Sequence, residues 1–370
     1  MLYPIITVPG SIPRIILSGF CNGGVFVILC NFLLTLNKNI KLILNYVVGP
    51  LVFCVLAFSI YSQLQRQANW KESLAEITTA LDSSSFIVFL SVIGLMILNW
   101  GIEARKWQVA INVLYPISFY RSFKAIFTGT TMAFFTPNRI GEYMGRMLYL
   151  KKGQRIQSVS VTIVCSMAQL MITLGAGIAG LFVMSGVANY TAKSEDLSFW
   201  MQLMGYITLA VLAILTILYF KLSLLVRFFE SIPKFSKYVS YVKVLNSFNA
   251  TILLRILSLS GGRYLVFIFQ YYLLFKLFGV EMNWWQTIWC MSTTFLLLAI
   301  VPSIAIITDL GIRWKASLEM VRFFSNNSLG ILATSMTVWF INLVIPALIG
   351  SLLILGLKMF KTEPVRNINL

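Results

Sequence analysis

One segment of this chain places three charged residues at helical spacing, in a sequence that is otherwise poor in charge. It reads FFTPNRIGEYMGRMLYLKK and contains Arg139, Glu142 and Arg146 at i, i+3 and i+7, which puts all three on one helix face. Because the guanidinium group makes bidentate contacts with phosphate, we expect Arg139 and Arg146 to bind a lipid phosphate. Glu142 would orient them or meet a cationic head group. The alternative is an interfacial helix whose charges are solvated or paired with each other.

Helix breakers interrupt the same segment. Pro137 and Gly141 are the expected breakers, and Thr136 or Asn138 is placed to cap a helix that starts after the proline. Amide groups at such a helix start favour an anion. The breakers therefore add to the expectation of an anion site.

A second segment, VPSIAIITDLGIRWKASLEMVR, repeats this combination of breakers and charge. Pro302 and Gly311 are its expected breakers, and Asp309 and Arg313 stand at i and i+4. Asp309 is either a helix cap or, together with Glu319, a contact for a cationic group. The sequence leaves both interpretations open.

A further arginine is predicted deep in an apolar helix. Arg263 follows Arg255 by eight residues, which on a continuous helix places it about 12 Å deeper. Such a charge normally faces the interior of a helix bundle, and the alternative is snorkelling to a nearby surface. The candidate head-group ligands are therefore Arg139, Glu142, Arg146, Arg263, Asp309, Arg313 and Glu319.

Other polar residues have a simpler interpretation. Glu103, Arg105, Lys106 and Trp107 close an apolar run, and an interfacial anchor is the favoured interpretation. Asn99 is expected to form a hydrogen bond between helices.

The elements that carry these residues are predicted to cross a membrane. Of 370 residues, 58% are hydrophobic and 11% are charged, against about 25% charged in soluble domains. Five apolar runs reach the roughly 20 residues needed to cross hydrocarbon, and they are Leu42–Gln65, Ser83–Ile102, Leu197–Phe220, Met282–Thr308 and Phe323–Leu357. A polytopic helical membrane protein is the expected fold class.

The net charge of +17 fits a membrane protein better than a nucleic-acid-binding protein. Basic residues gather at cytoplasmic helix ends and meet anionic lipid head groups, so no nucleic-acid partner is expected. The chain has no histidine, and its five cysteines form no CxxC pair. No metal site or cofactor is predicted, and enzyme interpretations lose support.

The distribution of basic connections predicts six spanning helices and two re-entrant segments. The predicted spans are about 42–65, 85–101, 159–187, 200–220, 251–279 and 329–357. The run Ala125–Phe135 is too short to cross and has basic residues on both sides, so the chain is expected to return to the face it left. A similar dip at Pro302 places both ends of the region 37–370 in the cytoplasm. Span, re-entrant segment and span then recur at about 85–187 and 251–357 in inverted orientation, which is typical of transporters.

The domain organisation is predicted to be simple. Residues 37–370 form one integral membrane domain. Residues 1–36 are an N-terminal extension, interpreted as an extra helix, an uncleaved anchor or sequence upstream of a natural start near Leu36.

The motif TPNRIGEYMGR, preceded by RSFKAIFTGTTMAFF, resembles the lysylphosphatidylglycerol synthetase transmembrane, or flippase-like, family. The matching residues are Thr136, Pro137, Arg139, Gly141, Glu142 and Arg146. A weaker second feature is matched by Pro302, Gly311 and Arg313, although Trp314 stands where the family has an acid. The resemblance covers about Asn37 to Leu357.

This resemblance implies a flippase that moves aminoacylated phosphatidylglycerol between leaflets, while a separate soluble domain attaches the amino acid. The chain ends 13 residues after its last predicted helix at Leu357, so we expect a free-standing translocase of a bacterial inner membrane and no enzyme. The sequence contains no GxxxxGK[ST] loop of the kind that binds ATP. We therefore expect ion or lipid gradients to drive transport.

Two alternatives remain open. One is a membrane-embedded transferase for a lipid-linked or polyprenyl-phosphate substrate, with Glu142, Asp309 and Glu319 as its acids or bases. The other is a helical scaffold for a separately encoded lipid synthase.

Overall fold

The structure is a computed structural model. It describes residues 86–134, 136, 139–192, 195–231, 239–300 and 306–355, together with Phe58, Glu72 and Ala75. The N-terminal extension 1–36, the breakers Pro137 and Pro302, and all of the first predicted span except Phe58 lie outside these residues. The described residues form helices and connections, with no strand among them.

The α-helices follow one another along the chain with short connections. They are α1 (Phe86–Ile111), α2 (Phe119–Phe134), α3 (Gly141–Met147), α4 (Gln157–Ala192), α5 (Glu195–Phe220), α6 (Leu222–Ser231), α7 (Val239–Val242), α8 (Ala250–Leu277), α9 (Trp284–Ile300), α10 (Ile306–Val321), α11 (Ser328–Trp339) and α12 (Ile345–Leu355). Turns of 3₁₀ helix occupy Lys152–Gln154 and Lys243–Ser247, and a π-helical turn, Phe340–Val344, joins α11 to α12.

Five helical stretches are long and apolar enough to cross a membrane. They are Phe86–Ile111, Gln157–Ala188, Ser198–Phe220, Ala250–Leu277 and Ser328–Ile354. These correspond to the second to sixth predicted spans, so the all-helical membrane fold is confirmed for the described residues. Helix α1 continues ten residues beyond its predicted end at Gly101, because the charged residues expected to stop it are buried inside the bundle.

Each predicted re-entrant segment corresponds to a pair of packed helices. Helix α2 packs against α3, and α9 packs against α10. Span, helix pair and span therefore occur in this order twice, around α1 to α4 and around α8 to α12. The return of each pair within the bilayer stays a prediction, since helix packing alone does not define membrane depth.

Asparagine side chains define two helix starts. Asn249 accepts a hydrogen bond from the Ile252 amide at 2.9 Å and begins α8. Asn327 accepts from the Gly330 amide at 2.9 Å and donates to the Phe278 carbonyl at 3.0 Å. The side chain of Asn327 thus caps α11 and joins it to the end of α8, satisfying groups that helix ends leave free.

Helix α8 is central in the bundle because it packs against α1, α4 and α11, while α4 also packs against α5 and α9. The helix α12 approaches α2 closely. A Cβ on Gly350 would overlap the Phe127 carbonyl, and Thr131 Oγ1 donates to the Ala347 carbonyl at 2.7 Å. Such close contacts through small residues are how helices associate where water provides no driving force.

Candidate functional site

A single buried carboxylate binds three cations from three helices. Glu103 Oε1 accepts from Arg146 Nη2 of α3 at 3.0 Å. Glu103 Oε2 accepts from Arg263 Nη1 of α8 at 2.8 Å and lies 2.6 Å from Lys106 Nζ of α1. The Glu103 cluster, as we call it, consists of these four residues together with Glu142 and Arg139.

The cluster extends outward through Glu142. Arg146 also donates to Glu142, and Arg139 Nε lies 3.7 Å from Glu142 Oε2. The exposed fraction of the side chain rises from 2% at Arg146 to 24% at Glu142 and 51% at Arg139. The charged residues therefore lead from an accessible surface into the interior of the bundle.

Aromatic rings cover the two buried arginines. The Arg146 guanidinium lies 5.9 Å from the centre of the Trp107 ring, and the Arg263 guanidinium lies 5.4 Å from Trp100 and 5.6 Å from Phe267. Guanidinium groups are attracted to the faces of such rings. The rings complete a water-poor environment in which the charges interact strongly.

A chain of side-chain amides continues from Arg263. Its Nε donates to Asn99 Oδ1 at 2.8 Å, Asn99 Nδ2 donates to Asn342 Oδ1 at 3.2 Å, and Asn342 Nδ2 donates to Gln270 Oε1 at 3.2 Å. The chain ends where Gln270 donates to the Val92 carbonyl at 3.1 Å. Asn342 lies in the π-helical turn, a local widening that often occurs at functional sites. The expected interhelical role of Asn99 is confirmed.

The position of α3 depends on glycine contacts with α2. A Cβ on Gly145 would lie 2.5 Å from the Gly129 Cα, and one on Gly141 would overlap the Met132 carbonyl. The N-cap residue of α3 is Ile140, not Thr136 or Asn138 as predicted, but Thr136 Oγ1 accepts a hydrogen bond from the Gly141 amide at 2.6 Å. Since this amide is already bonded, the start of α3 offers less to an anion than the sequence suggested.

Arg139 occupies an unusual backbone conformation. Its φ is 58°, and it is the non-glycine residue for which a positive φ is recorded within the described part of the chain. The left-handed region costs an L-residue about 1–2 kcal/mol. Backbone strain of this kind concentrates at functional sites. Here the strained residue is the most exposed arginine of the cluster.

The charges of the cluster do not balance. Four bases, which are Lys106, Arg139, Arg146 and Arg263, face two acids, Glu103 and Glu142, so the sum is +4 − 2 = +2. The Nε of Arg146 is buried and has no hydrogen-bond partner in the described structure. The cluster therefore has an excess of positive charge and an unsatisfied buried donor.

The second predicted segment contributes differently. Asp309 lies inside α10, three residues after its start at Ile306, so the helix-cap interpretation is wrong; its side chain lies outside the described residues. Gly311 is wrong as a breaker, because α10 continues through it to Val321. Arg313 follows Asp309 by one turn in the same helix.

Glu319 lies apart from the cluster on the exposed part of α10. Lys315 Nζ is 2.8 Å from its carboxylate, and Arg322 Nη1 is 3.9 Å away. The hydrogen bond from Lys315 lowers the pKa of Glu319 below its usual value. Of the predicted head-group ligands, the structure therefore brings together Arg139, Glu142, Arg146 and Arg263. Glu319 lies outside this group.

The ends of the two helix pairs nevertheless meet. Phe134, the last residue of α2, and Leu310, near the start of α10, belong to one buried apolar cluster with Met336 and Trp339 of α11. The two interrupted segments therefore converge in the bundle, although the charged site is built from the first one.

The interfacial-anchor interpretation of Glu103, Lys106 and Trp107 is wrong, because all three side chains are buried. Arg105, in contrast, is exposed and fits that interpretation. A signal was present in the sequence, since Asn99, Glu103 and Lys106 stand at i, i+4 and i+7 and share one helix face. A polar face along a predicted span indicates an interior position, and an anchor would place its charges at the helix end only.

The family model described as the lysylphosphatidylglycerol synthase transmembrane region matches residues 42–350 of the chain. The search of curated proteins gives no match.

Proposed function

Because the chain belongs to the lysylphosphatidylglycerol synthase transmembrane family, we propose that it translocates an anionic or aminoacylated phospholipid of the phosphatidylglycerol type between the two leaflets. The protein is an integral membrane protein. We place it in a bacterial cytoplasmic membrane, with the basic connections around Arg121 and Arg227 on the cytoplasmic side.

The observation that carries the proposal is the positive excess of the Glu103 cluster. A phosphodiester has one negative charge, and in hydrocarbon it is costly unless fixed positive charge compensates it. The cluster provides such charge at three depths, at the exposed Arg139, the buried Arg146 and the largely buried Arg263. A head group bound there has cationic partners along a path into the bundle, while its acyl chains stay in lipid.

Glu142 gives the site a second property. It is partly exposed between Arg139 and Arg146. When a phosphate binds one of these arginines, the Glu142 carboxylate therefore lies beside the bound head group. An ammonium group on an aminoacylated lipid would then pair with it. The combination of acid and base at the entrance fits a head group that has both charges.

The test is leaflet exchange in liposomes that contain the purified protein. Labelled phosphatidylglycerol and lysylphosphatidylglycerol are followed by quenching of the label in the outer leaflet, and the recovered lipid is examined for chemical change. The proposal requires exchange without a new product. A new lipid product without exchange would favour the transferase alternative. The absence of both exchange and a new product would favour the scaffold alternative.

The chain offers a matched pair of variants on α8. We expect Arg263→Gln to slow exchange by about tenfold or more, since loss of one charge-assisted contact is worth about 1.5–3 kcal/mol. Arg255→Gln removes the same charge from an exposed position eight residues earlier and should leave exchange within about twofold. Equal rates in the two variants would count against a role for the cluster.

A further inference from the structure

A cavity separate from the Glu103 cluster lies where α5 ends and α8 begins. Its volume is about 410 Å³, in the range of small-molecule sites. Buried apolar side chains of α6, the following 3₁₀ turn and α8 form its floor, among them Val226, Leu245 and Leu253. Ser223, Arg227 and Asn246 form part of its polar rim. These floor side chains are almost fully covered, so Phe220 and Phe248 provide the accessible apolar surface of the lining.

The neighbouring helices place this cavity at a membrane surface. One candidate span ends at Phe220 and another begins at Ala250, and the cavity is lined by residues on either side of these two ends. Helix α6 also has apolar side chains on its outer side, with Leu224 39% and Phe228 61% exposed. A helix with exposed apolar residues next to basic ones is typical of segments that lie in the lipid interface.

The charge at the rim is positive. Glu230 also lines the cavity, and its carboxylate lies 3.7 Å from Lys243 Nζ. No carboxylate of the described residues pairs with Arg227, which is exposed at the rim beside Lys221. Of the two charged residues that line the cavity, Glu230 is paired with Lys243 and Arg227 keeps an uncompensated charge among the described residues, so the rim complements an anionic head group.

We propose that this cavity binds one anionic phospholipid from the adjoining leaflet, with an acyl chain against Phe220 and Phe248 and the phosphate on Arg227. Leu253 of the floor and Arg263 of the Glu103 cluster stand ten residues apart on α8, which separates them by about 15 Å. The lipid bound here is therefore distinct from a head group in the cluster.

The experiment measures lipids retained by the purified full-length protein. The protein is delipidated in detergent and mixed with equal amounts of phosphatidylglycerol and phosphatidylcholine, and the retained lipids are counted by native mass spectrometry. We expect preference for phosphatidylglycerol, and about a tenfold loss of its retention in Arg227→Gln. Arg255→Gln, with the same charge change on α8 outside the cavity lining, should retain phosphatidylglycerol as the unmodified protein does.

Two further arms make the result decisive. Ser223→Trp fills the rim from an exposed position and should lower retention of both lipids, because the cavity is then closed. Free glycerol phosphate should not displace the lipid, because it has no acyl chain to contact Phe220 and Phe248. Unchanged retention in Arg227→Gln, equal retention of the two lipids, or displacement by glycerol phosphate would each overturn the proposal.

Discussion

At the scale of single residues, the central question is how three cations remain in an apolar bundle. A carboxylate has about four lone-pair positions, and Glu103 uses both oxygens to bind Lys106, Arg146 and Arg263. Removing one partner from a buried ion pair leaves an uncompensated charge, which costs far more than the pair itself contributes. Glu103 is therefore the residue on which the burial of the other three depends.

This dependence predicts a large effect on stability. Glu103→Gln keeps the size and one hydrogen-bond acceptor but removes the charge, and we expect it to lower the free energy of unfolding by about 3–5 kcal/mol. Thermal unfolding in detergent measures the change. Glu319→Gln is the matched control, because this exposed carboxylate also contacts two cations and should change stability by less than about 1 kcal/mol. Similar losses in both variants would refute the central role of Glu103.

The backbone of Arg139 predicts opposite effects on stability and transport. Arg139→Gly removes the strain of its φ of 58° and should stabilise the protein by about 1 kcal/mol. It also removes the exposed cation of the cluster, so leaflet exchange should slow. Arg139→Ala removes the same charge without easing the backbone and should slow exchange with no gain in stability. If the glycine variant unfolds at or below the temperature of the alanine variant, the strain argument fails.

At the scale of elements, the α2–α3 pair positions the cluster through glycine. Replacing helical Gly by Ala normally stabilises by about 0.5–1 kcal/mol, but a Cβ on Gly145 would lie 2.5 Å from the Gly129 Cα. We therefore expect Gly145→Ala to destabilise by about 1–3 kcal/mol, as overpacking does, and to slow leaflet exchange because Arg146 moves. Gly94→Ala on α1 has no atom within 4 Å of the new Cβ and should be neutral or stabilising in the same unfolding measurement.

The sequence was informative about local features of these elements. The pairing of Glu142 with Arg146, the break before Gly141 and the interior position of Arg263 follow from helical spacing, turn chemistry and the cost of charge in hydrocarbon. The shared helix face predicted for Arg139 is wrong, because Arg139 precedes α3 with a φ of 58° and contacts Glu142 from outside the helix. The partner Glu103 did not follow, because its contacts join residues more than 40 positions apart. Spacing along one helix cannot show which other helix lies opposite.

The amide chain illustrates the same limit. Gln270 stands seven residues after Arg263 on the same face of α8, which a sequence reading can detect. Asn342 reaches Gln270 and Asn99 from a π-helical turn, and an extra residue per turn shifts the face that helical periodicity would assign to it. A local departure from regular geometry thus hid this residue from the sequence pattern.

At the scale of the whole molecule, the order of span, helix pair and span occurs twice and the two pairs meet near Phe134 and Leu310. If each pair re-enters, α1, α4 and α5 cross the membrane before α8 begins, so α8 starts on the face opposite to the start of α1 and the second unit enters the membrane from that face. Inverted units of this kind let a site near their contact open to either side in turn. The proposed transport therefore depends on where the ends of each pair lie.

Single cysteines in a cysteine-free background test this arrangement. Ser118 and Gly153 lie exposed at the two ends of the first pair, and Asn283 and Asn326 at the ends of the second. Re-entry predicts that Ser118→Cys and Gly153→Cys react with a membrane-impermeant maleimide only after the cytoplasmic face is opened. Asn283→Cys and Asn326→Cys should react from the outside of intact cells.

The physical reason for this expectation is the distribution of charge, because Arg121 and Lys124 follow Ser118 closely in α2 and Lys151 and Arg155 flank Gly153. Such basic residues stay on the cytoplasmic side. Opposite labelling within the first pair would mean that one of its helices crosses completely. The charged residues of α3 would then lie at a membrane surface, where water compensates their charge, and the positive excess around Glu103 would no longer require an anionic lipid. Labelling of both pairs from one face would instead retain the two pairs but exclude the inverted arrangement on which alternating access depends.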